Sequence, residues 1–406
     1  MYSLLPHLSV VEASAFVAAP LAGMTLAQLG AEVIRVDPIG GGLDYKRWPV
    51  SNETGKSIYW AGMNKGKRSL AVNMRDPRGR ELIQELATRP GPGSGILVTT
   101  FGGIPWLAQA ELEKHRSDAI SVVIQGNPDG SPAVDYTINC AVGYPNLTGP
   151  EGDTRPVNHV LAAWDIATGL HAALAVMTAA DHRARTGQGQ RVEAALSNIA
   201  MAMVGNLGQI GEVALNGEER DPLGNDLYGA FGRDFPTKDG RRIMVVAISL
   251  KQWQGLCRAC GMEDVVAELE KSLGADFADE GQRFEWRHVL NAMVERWCKE
   301  RTLAEIGQAF DAEALCWGPY QSVTQMLAED PRASTANTMF RKVEHPGIGE
   351  LLTPGSPLNF AGTERQDPTP APLLGQDTDW ALADRLGLSS SEIGKLHDAG
   401  IVAGPE

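Results

Sequence analysis

"SVVEASAFVAAPLAGMTLAQLGAEVIRVD", residues 9–37, decides the fold class. Its two ends, "SVVEAS" (9–14) and "AEVIRVD" (31–37), are short β-branched runs and read as strands. Between them "PLAGMTLAQLG" (20–30) has the marks of a helix, with Pro20 at its start and Gly30 as its stop. Strand, helix and strand follow one another within thirty residues. Working outward, the pattern repeats. "RGRELIQELATR" (78–89) is an amphipathic helix and "GILVTTF" (95–101) a strand. A further helix begins near Leu107, and "AISVVIQG" (119–126) is the next strand. Strands alternating with helices predict a parallel, Rossmann-like sheet.

With 406 residues the chain exceeds the size at which one core keeps growing, so two domains are expected. From about Ile166 to Arg185 runs a long helix, stopped by "TGQGQ" (186–190), and "RVEAALSNIAMAMVGNLGQI" (191–210) supplies a strand and another helix. The turn-rich "LNGEERDPLGND" (215–226) marks the main boundary. The expected division is a large domain over 1–214, a smaller α+β domain over 215–325 beginning with "RRIMVVAI", and a segment 326–406 that returns to the large domain.

A formal charge of −14 argues against nucleic acid and anionic membranes as partners. Five scattered cysteines form no disulfide framework and suit a reducing cytoplasm. "CRAC" (Cys257, Cys260) falls inside a probable helix, which favours a packing role over a redox one. The apolar run 160–180 contains Asp165 and His171, so it reads as a core helix, not a membrane span. The first residues lack the pattern of a signal peptide. The turn "SAFVAAP" has none of the glycines of a dinucleotide fingerprint, although Asp37 stands where its ribose-binding acid would be. No H-E-x-x-H, nucleophile elbow or paired metal-ligand cluster occurs, so no metal is expected.

Two features carry chemistry. "DYKRWPV" (44–50) and "NKGKRSL" (64–70) place Lys46, Arg47, Lys65, Lys67 and Arg68 in two short loops. They are either a solvated surface or a site for phosphates and carboxylates. Asp165, in "NHVLAAWDIATGLHAALAVM" (158–177), stands alone in an apolar run. It is either the N-cap of a helix beginning at Ile166 or a partly buried nucleophile.

"WDIATGLHAALAVMTAADHRARTGQGQRVEAAL" (164–196) resembles the class III CoA-transferases, in which an Asp, Thr-Gly, an alanine-rich helix and R-x-T-G-x-G-Q-x-V follow in this order. The opening stretch 9–37, "NKGKRSLAVNMRDPRGRELIQEL" (64–86), "PTKDGRRIMVVAISLKQWQGLCRACG" (236–261) and "PAPLLGQDTD" (370–379) resemble the same family in family order. The resemblance implies a large Rossmann-like domain built from both ends of the chain, a smaller domain between, and an interlocked homodimer. It implies Asp165 as the catalytic carboxylate and CoA thioesters as substrates, with no metal and no cofactor beyond the substrate's CoA.

Within the family, the branch most similar to this chain moves CoA between the carboxyls of one branched C5 dicarboxylic acid. Transfer between two separate acids is the alternative, with racemisation of 2-methylacyl-CoA and CoA binding without turnover behind it. The racemase branch has a histidine where Val134 precedes Asp135. The oxalate branch has a glutamine at the place of Val17. In "TTFGG" (99–103), Thr100 and Gly102 replace an Asn and an Arg common in the family. On this reading Arg47 holds the distal carboxylate, and Arg35, Lys67 and Arg68 lie near the CoA phosphates. Phe16, Val17 and Ala18 contact the pantetheine arm, while Tyr45, Asn158 and His159 order the diacid. The oxyanion donor is sought in "LYGAFG" (227–232).

Overall fold

The computed structural model describes residues 1–405. The chain divides into two compact units. The larger contains residues 1–142, 159–217 and 331–406; the smaller contains 143–158 and 218–330. The segment 143–158, assigned to the large domain from sequence, therefore groups with the smaller unit. Its ties there are visible in the backbone: the Val157 amide donates to Pro145, and the Gly224 amide to Gly149.

The larger unit is built on a seven-stranded sheet. Six strands are parallel: β1 (Ser9–Ala13), β2 (Glu32–Asp37), β3 (Arg68–Val72), β4 (Ile96–Thr99), β5 (Ile120–Gln125) and β6 (Gln190–Ala195). Their order across the sheet is β3-β2-β1-β4-β5-β6, so the winding reverses between β1 and β4. Ligands of such sheets bind outside the carboxyl ends of the strands at that reversal. Strands buried on both faces read as near-continuous apolar runs. Val10, Val11, Val33, Ile34, Val36, Ile96, Leu97 and Val98 are accordingly all buried.

The edge of β3 is closed by the far end of the chain. Val402 and Ala403 form a short antiparallel strand against Val72 and Ala71. Just before it, "PAPLLGQDTD" ties down the same strand. Asp377 takes the Arg68 guanidinium at 2.7 Å and the Ser69 amide at 3.0 Å, and Thr378 Oγ1 accepts from the Ala71 amide. The motif is a clasp on an edge strand, which removes a pairing hazard.

The long helix spans Ala163–Thr186 and packs on the first helix, Ala18–Gln28. The contact requires Gly169: a Cβ there would stand 2.6 Å from the Ala18 carbonyl oxygen and 3.0 Å from the Leu21 side chain. No helix among the described residues is long and apolar enough to cross a membrane.

The smaller unit has a three-stranded antiparallel sheet, Phe231–Pro236, Arg242–Ala247 and Cys316–Pro319. Its own core gathers Phe231, Phe235, Trp253, Leu256, Phe277, Leu290 and Phe310. Cys257 and Cys260 lie on the helix Leu250–Cys260 and are unbonded thiols. Burial raises both thiol pKa values, the Cys257 value to about 12, which makes them poor nucleophiles.

Candidate active site

The reversal of the sheet places the turn after β1 at the carboxyl edge. Phe16 in that turn has φ +70°, a left-handed conformation that a non-glycine residue adopts only when its surroundings require it. The requirement is visible: its amide donates to Asp44 at 3.1 Å. Val17 is then the N-cap of the first helix, without a side-chain cap, and the helix opens at Ala18. The first amides of a helix have no intrahelical acceptor and favour negative charge.

Gly169 fixes where the long helix crosses this turn, and Asp165 lies one turn earlier on that helix. The helix does not begin at Ile166. It begins at Ala163, so Asp165 is its third residue, and Ala162 occupies the N-cap without a side-chain bond. The cap comes from elsewhere. Asp135 Oδ2 accepts the backbone amides of Trp164 at 2.6 Å and of Asp165 at 3.1 Å. Asn139, one turn on from Asp135 in the helix Asp135–Ala141, accepts the Trp164 indole N–H at 3.1 Å. Asp135 and Asn139 are both buried.

Asp165 is therefore not a cap. Among the described residues its carboxylate accepts no hydrogen bond. It is half-buried, and burial together with the Asp135 carboxylate pushes its pKa up to about 6, against the pull of Arg47. Around it stand Arg47, whose guanidinium lies 5.4 Å from the Phe16 ring centre and 5.5 Å from that of Tyr59. Burial pushes the Tyr59 phenol up to about 12, with Arg47 opposing. Asp165, Arg47, Tyr59 and Phe16 thus form one electrostatically linked group. Tyr59 and Asp135 escaped the sequence reading. In the sequence Asp135 is marked only as the residue after Val134.

The structure corrects other assignments. Arg35 is 1% exposed and bonds Asp37, Asp44, Asn64 and the Ser14 carbonyl at 2.9–3.3 Å. Burial lowers its pKa, but Asp37, Asp44 and Glu12 outweigh that and hold it above the ordinary value. Lys67 is equally enclosed, donating to Glu12, Asn64 and the Pro20 carbonyl at 2.8–3.0 Å. Burial, opposed by Glu12, lowers its pKa to about 8. Neither faces a phosphate. They are the cationic half of a buried frame beneath the β1 turn. Arg68 is half-exposed but already paired with Asp377 and laid on Trp380 at 3.7 Å.

Tyr45 meets Trp60 edge-on at 5.3 Å and lines, with Lys46, Lys56 and His345, a separate cavity of about 330 Å³. His159 stacks near Tyr136 at 6.4 Å in the larger unit, whereas Asn158 and the "LYGAFG" loop belong to the smaller one. In that loop the Leu227 amide is bonded to the Gly232 carbonyl at 2.8 Å. At the carboxyl ends of β4 and β5 lies an open cavity of about 530 Å³, lined by Thr100, Gly102, Gln125, Gly126 and Val134. Its lining includes four glycines, Gly102, Gly103, Gly126 and Gly130, and no charged side chain.

A family model described as CoA-transferase family III matches residues 5–91 and 108–378. The chain is 52% identical over 406 residues to a 2-methylfumaryl-CoA isomerase of Chloroflexus aurantiacus, covering 100% of this chain and 99% of that protein. It is 27% identical to a succinyl-CoA:glutarate CoA-transferase of Homo sapiens, over 98% of this chain and 90% of that one. A solved structure of a CAIB/BAIF family protein from Brucella suis has the same fold. Its TM-score is 0.76 at 24% identity, over 95% of this chain and 100% of that one.

Proposed function

The chain belongs to CoA-transferase family III, and from that premise we propose that it isomerises 2-methylfumaryl-CoA to 3-methylfumaryl-CoA, with Asp165 as the nucleophile. One observation carries the chemistry: a half-buried carboxylate of raised pKa, without a hydrogen-bond donor, at the start of a helix on the sheet's reversal point. The choice of substrate is supported by the 52% full-length identity to the Chloroflexus isomerase.

The steps exchange one acyl bond for another. An Asp165 oxygen attacks the thioester carbonyl; the C–S bond breaks, leaving an aspartyl–mesaconyl anhydride and CoA thiolate. The thiolate attacks the aspartyl carbonyl carbon and releases mesaconate, forming an aspartyl–CoA thioester. The second mesaconate carboxylate attacks that thioester and expels the thiolate again. The thiolate then attacks the newly bound mesaconyl carbonyl, giving 3-methylfumaryl-CoA and free Asp165. No step changes an oxidation state and each leaving group is the next nucleophile, so the scheme uses no redox cofactor and runs on Asp165 and the substrate's CoA. Arg47 binds the free carboxylate of the diacid, since guanidinium and carboxylate pair in a plane. The amides of Val17 and Ala18 and the Phe16 ring receive the thioester end of the pantetheine arm. The apolar setting keeps water from the anhydrides.

We infer a homodimer as the working form. Met201, Leu207, Ile210, Val213 and Leu215, on and beside the helices Leu196–Asn206 and Gln209–Asn216, are each at least half exposed, as are Leu170 and Leu174 on the long helix. Apolar exposure on that scale marks an interface.

The test is purified protein with 2-methylfumaryl-CoA alone, products separated by chromatography. The isomerase yields 3-methylfumaryl-CoA with no added acid. Conversion that begins only when succinate or another free acid is supplied would replace this reading with an intermolecular transferase.

A further inference from the structure

We propose that Asp135 is a positioning residue for Asp165: it takes the two amides that open the long helix and so keeps the nucleophile's own oxygens free. The inference rests on the reading of Asp165 as nucleophile and extends it to a residue thirty positions earlier in the chain.

An aspartate in the first turn of a helix ordinarily turns its carboxylate back onto the exposed amides. For Asp165 those bonds would lower its basicity and aim its lone pairs at the backbone. Asp135 prevents this. One of its oxygens holds the amides of both Trp164 and Asp165. Its other oxygen is buried and has no hydrogen-bond partner among the described residues. Asp135 is itself the first residue of the helix Asp135–Ala141, where a negative side chain is favoured, and the Val134 amide is covered instead by Thr137 at 3.1 Å. Two helix starts thus converge on one carboxylate. Asn139 adds the Trp164 indole bond, which fixes the residue next to the nucleophile.

The second consequence is electrostatic. Asp135 and Arg47 are the charged groups that act on Asp165, and the Tyr59 phenol beside them, raised to about 12, is neutral. Arg47 favours the anion and Asp135 opposes it. When Asp165 attacks the thioester, its negative charge leaves for the carbonyl oxygen and then for the CoA sulfur. Each acylation therefore relieves the repulsion from Asp135. A fixed charge that disfavours the free nucleophile and is indifferent to the acylated one favours the forward attack.

The test is Asp135→Asn, whose amide oxygen accepts the same two N–H groups without the charge. Its fold is checked by thermal melting. The expected result is a kcat lower by roughly three- to tenfold, as for a nucleophile made less basic, with little change in KM. The acid limb of the pH–rate profile, expected near pH 6 in the parent protein, should move down by roughly one pH unit. An acid limb and kcat equal to the parent's would overturn the proposal and leave Asp135 a structural cap. A second measurement needs no substrate: the Asp165 carboxyl is titrated by carbon NMR, identified by its loss in Asp165→Asn. A lower titration midpoint in Asp135→Asn supports the proposal even if 2-methylfumaryl-CoA proves not to be the substrate. An unchanged midpoint overturns it even if the isomerase is active.

Discussion

Two groups of buried charge lie on either side of the β1 turn, and they are built to opposite rules. Beneath the turn, Arg35 and Lys67 are enclosed by Glu12, Asp37, Asp44 and Asn64, and every cation has several acceptors within 3.3 Å. Above it, Asp165 has a cation nearby in Arg47 but no donor on its oxygens, and a second carboxylate at its back. The first group uses its charges on one another and holds the turn in its left-handed conformation. The second leaves a charge unmatched and available to a substrate. Burial of an ionisable residue does not separate scaffold from site; the saturation of its hydrogen bonds does.

The strongest way to break this contrast is Asp165→Asn. Loss of the nucleophile should lower kcat by at least about 10⁴-fold, as deletion of a covalent catalyst does. The melting temperature should hold or rise, because an unsatisfied half-buried charge has been removed. A variant that keeps isomerase activity would return Asp165 to a structural role.

Arg35→Ala should do the reverse. It strands Asp37 and Asp44 in the interior, and removing one partner of a buried pair costs about 3–5 kcal/mol. Urea unfolding should show that loss. A near-neutral result would mean that the frame beneath the turn relaxes or takes up water.

Arg47→Ala sharpens the comparison from the other side. Its partner in turnover is the substrate carboxylate, so kcat/KM should fall about 10- to 100-fold, mainly through KM, with stability unchanged. Steady-state kinetics and a thermal melt decide it.

The smallest expected effect is in pH. Asp165 binds its proton more tightly in the folded chain, near pH 6, than in the unfolded chain, near 3.9. Between those values the folded state holds the extra proton, so this residue's contribution to stability falls as pH rises, by about 3 kcal/mol in all. Comparing unfolding of the parent and Asp165→Asn from pH 4 to 7 should show the difference open over that window. Activity runs the other way, declining below about pH 6 as the nucleophile takes its proton.

How far the sequence foretold this depends on what each residue needs. β-branched runs and helix stops are local, so the alternating units of the larger sheet stand out from residues 9–37 onward, and the C-terminal motif 370–379 is equally distinctive. The partners of Arg35 are not local. Nothing in "VIRVD" or "NKGKRSL" tells a cation facing solvent from one enclosed by three carboxylates, since the acids come from β1, β2 and the loop after β2. The sequence points to a start of the long helix at Ile166, three residues late, for the same reason. Its cap is Asp135, in another helix, and no pattern within "VLAAWDIATG" reports it. Tyr59, on the short helix Ile58–Met63, carries no signal in the sequence until Arg47 is seen beside it.

The clasp on β3 also imposes an order on synthesis. Arg68 and Asp377 are 309 residues apart. At ribosomal rates of about 5–20 residues per second, roughly fifteen to sixty seconds pass between them. Over that interval the sheet's outer strand is on the nascent chain without its cover, while all of residues 218–330 emerge and can collapse on their own aromatic core. The inner unit is in a position to fold before the one that encloses it in sequence, and the larger sheet is sealed last, from its far end.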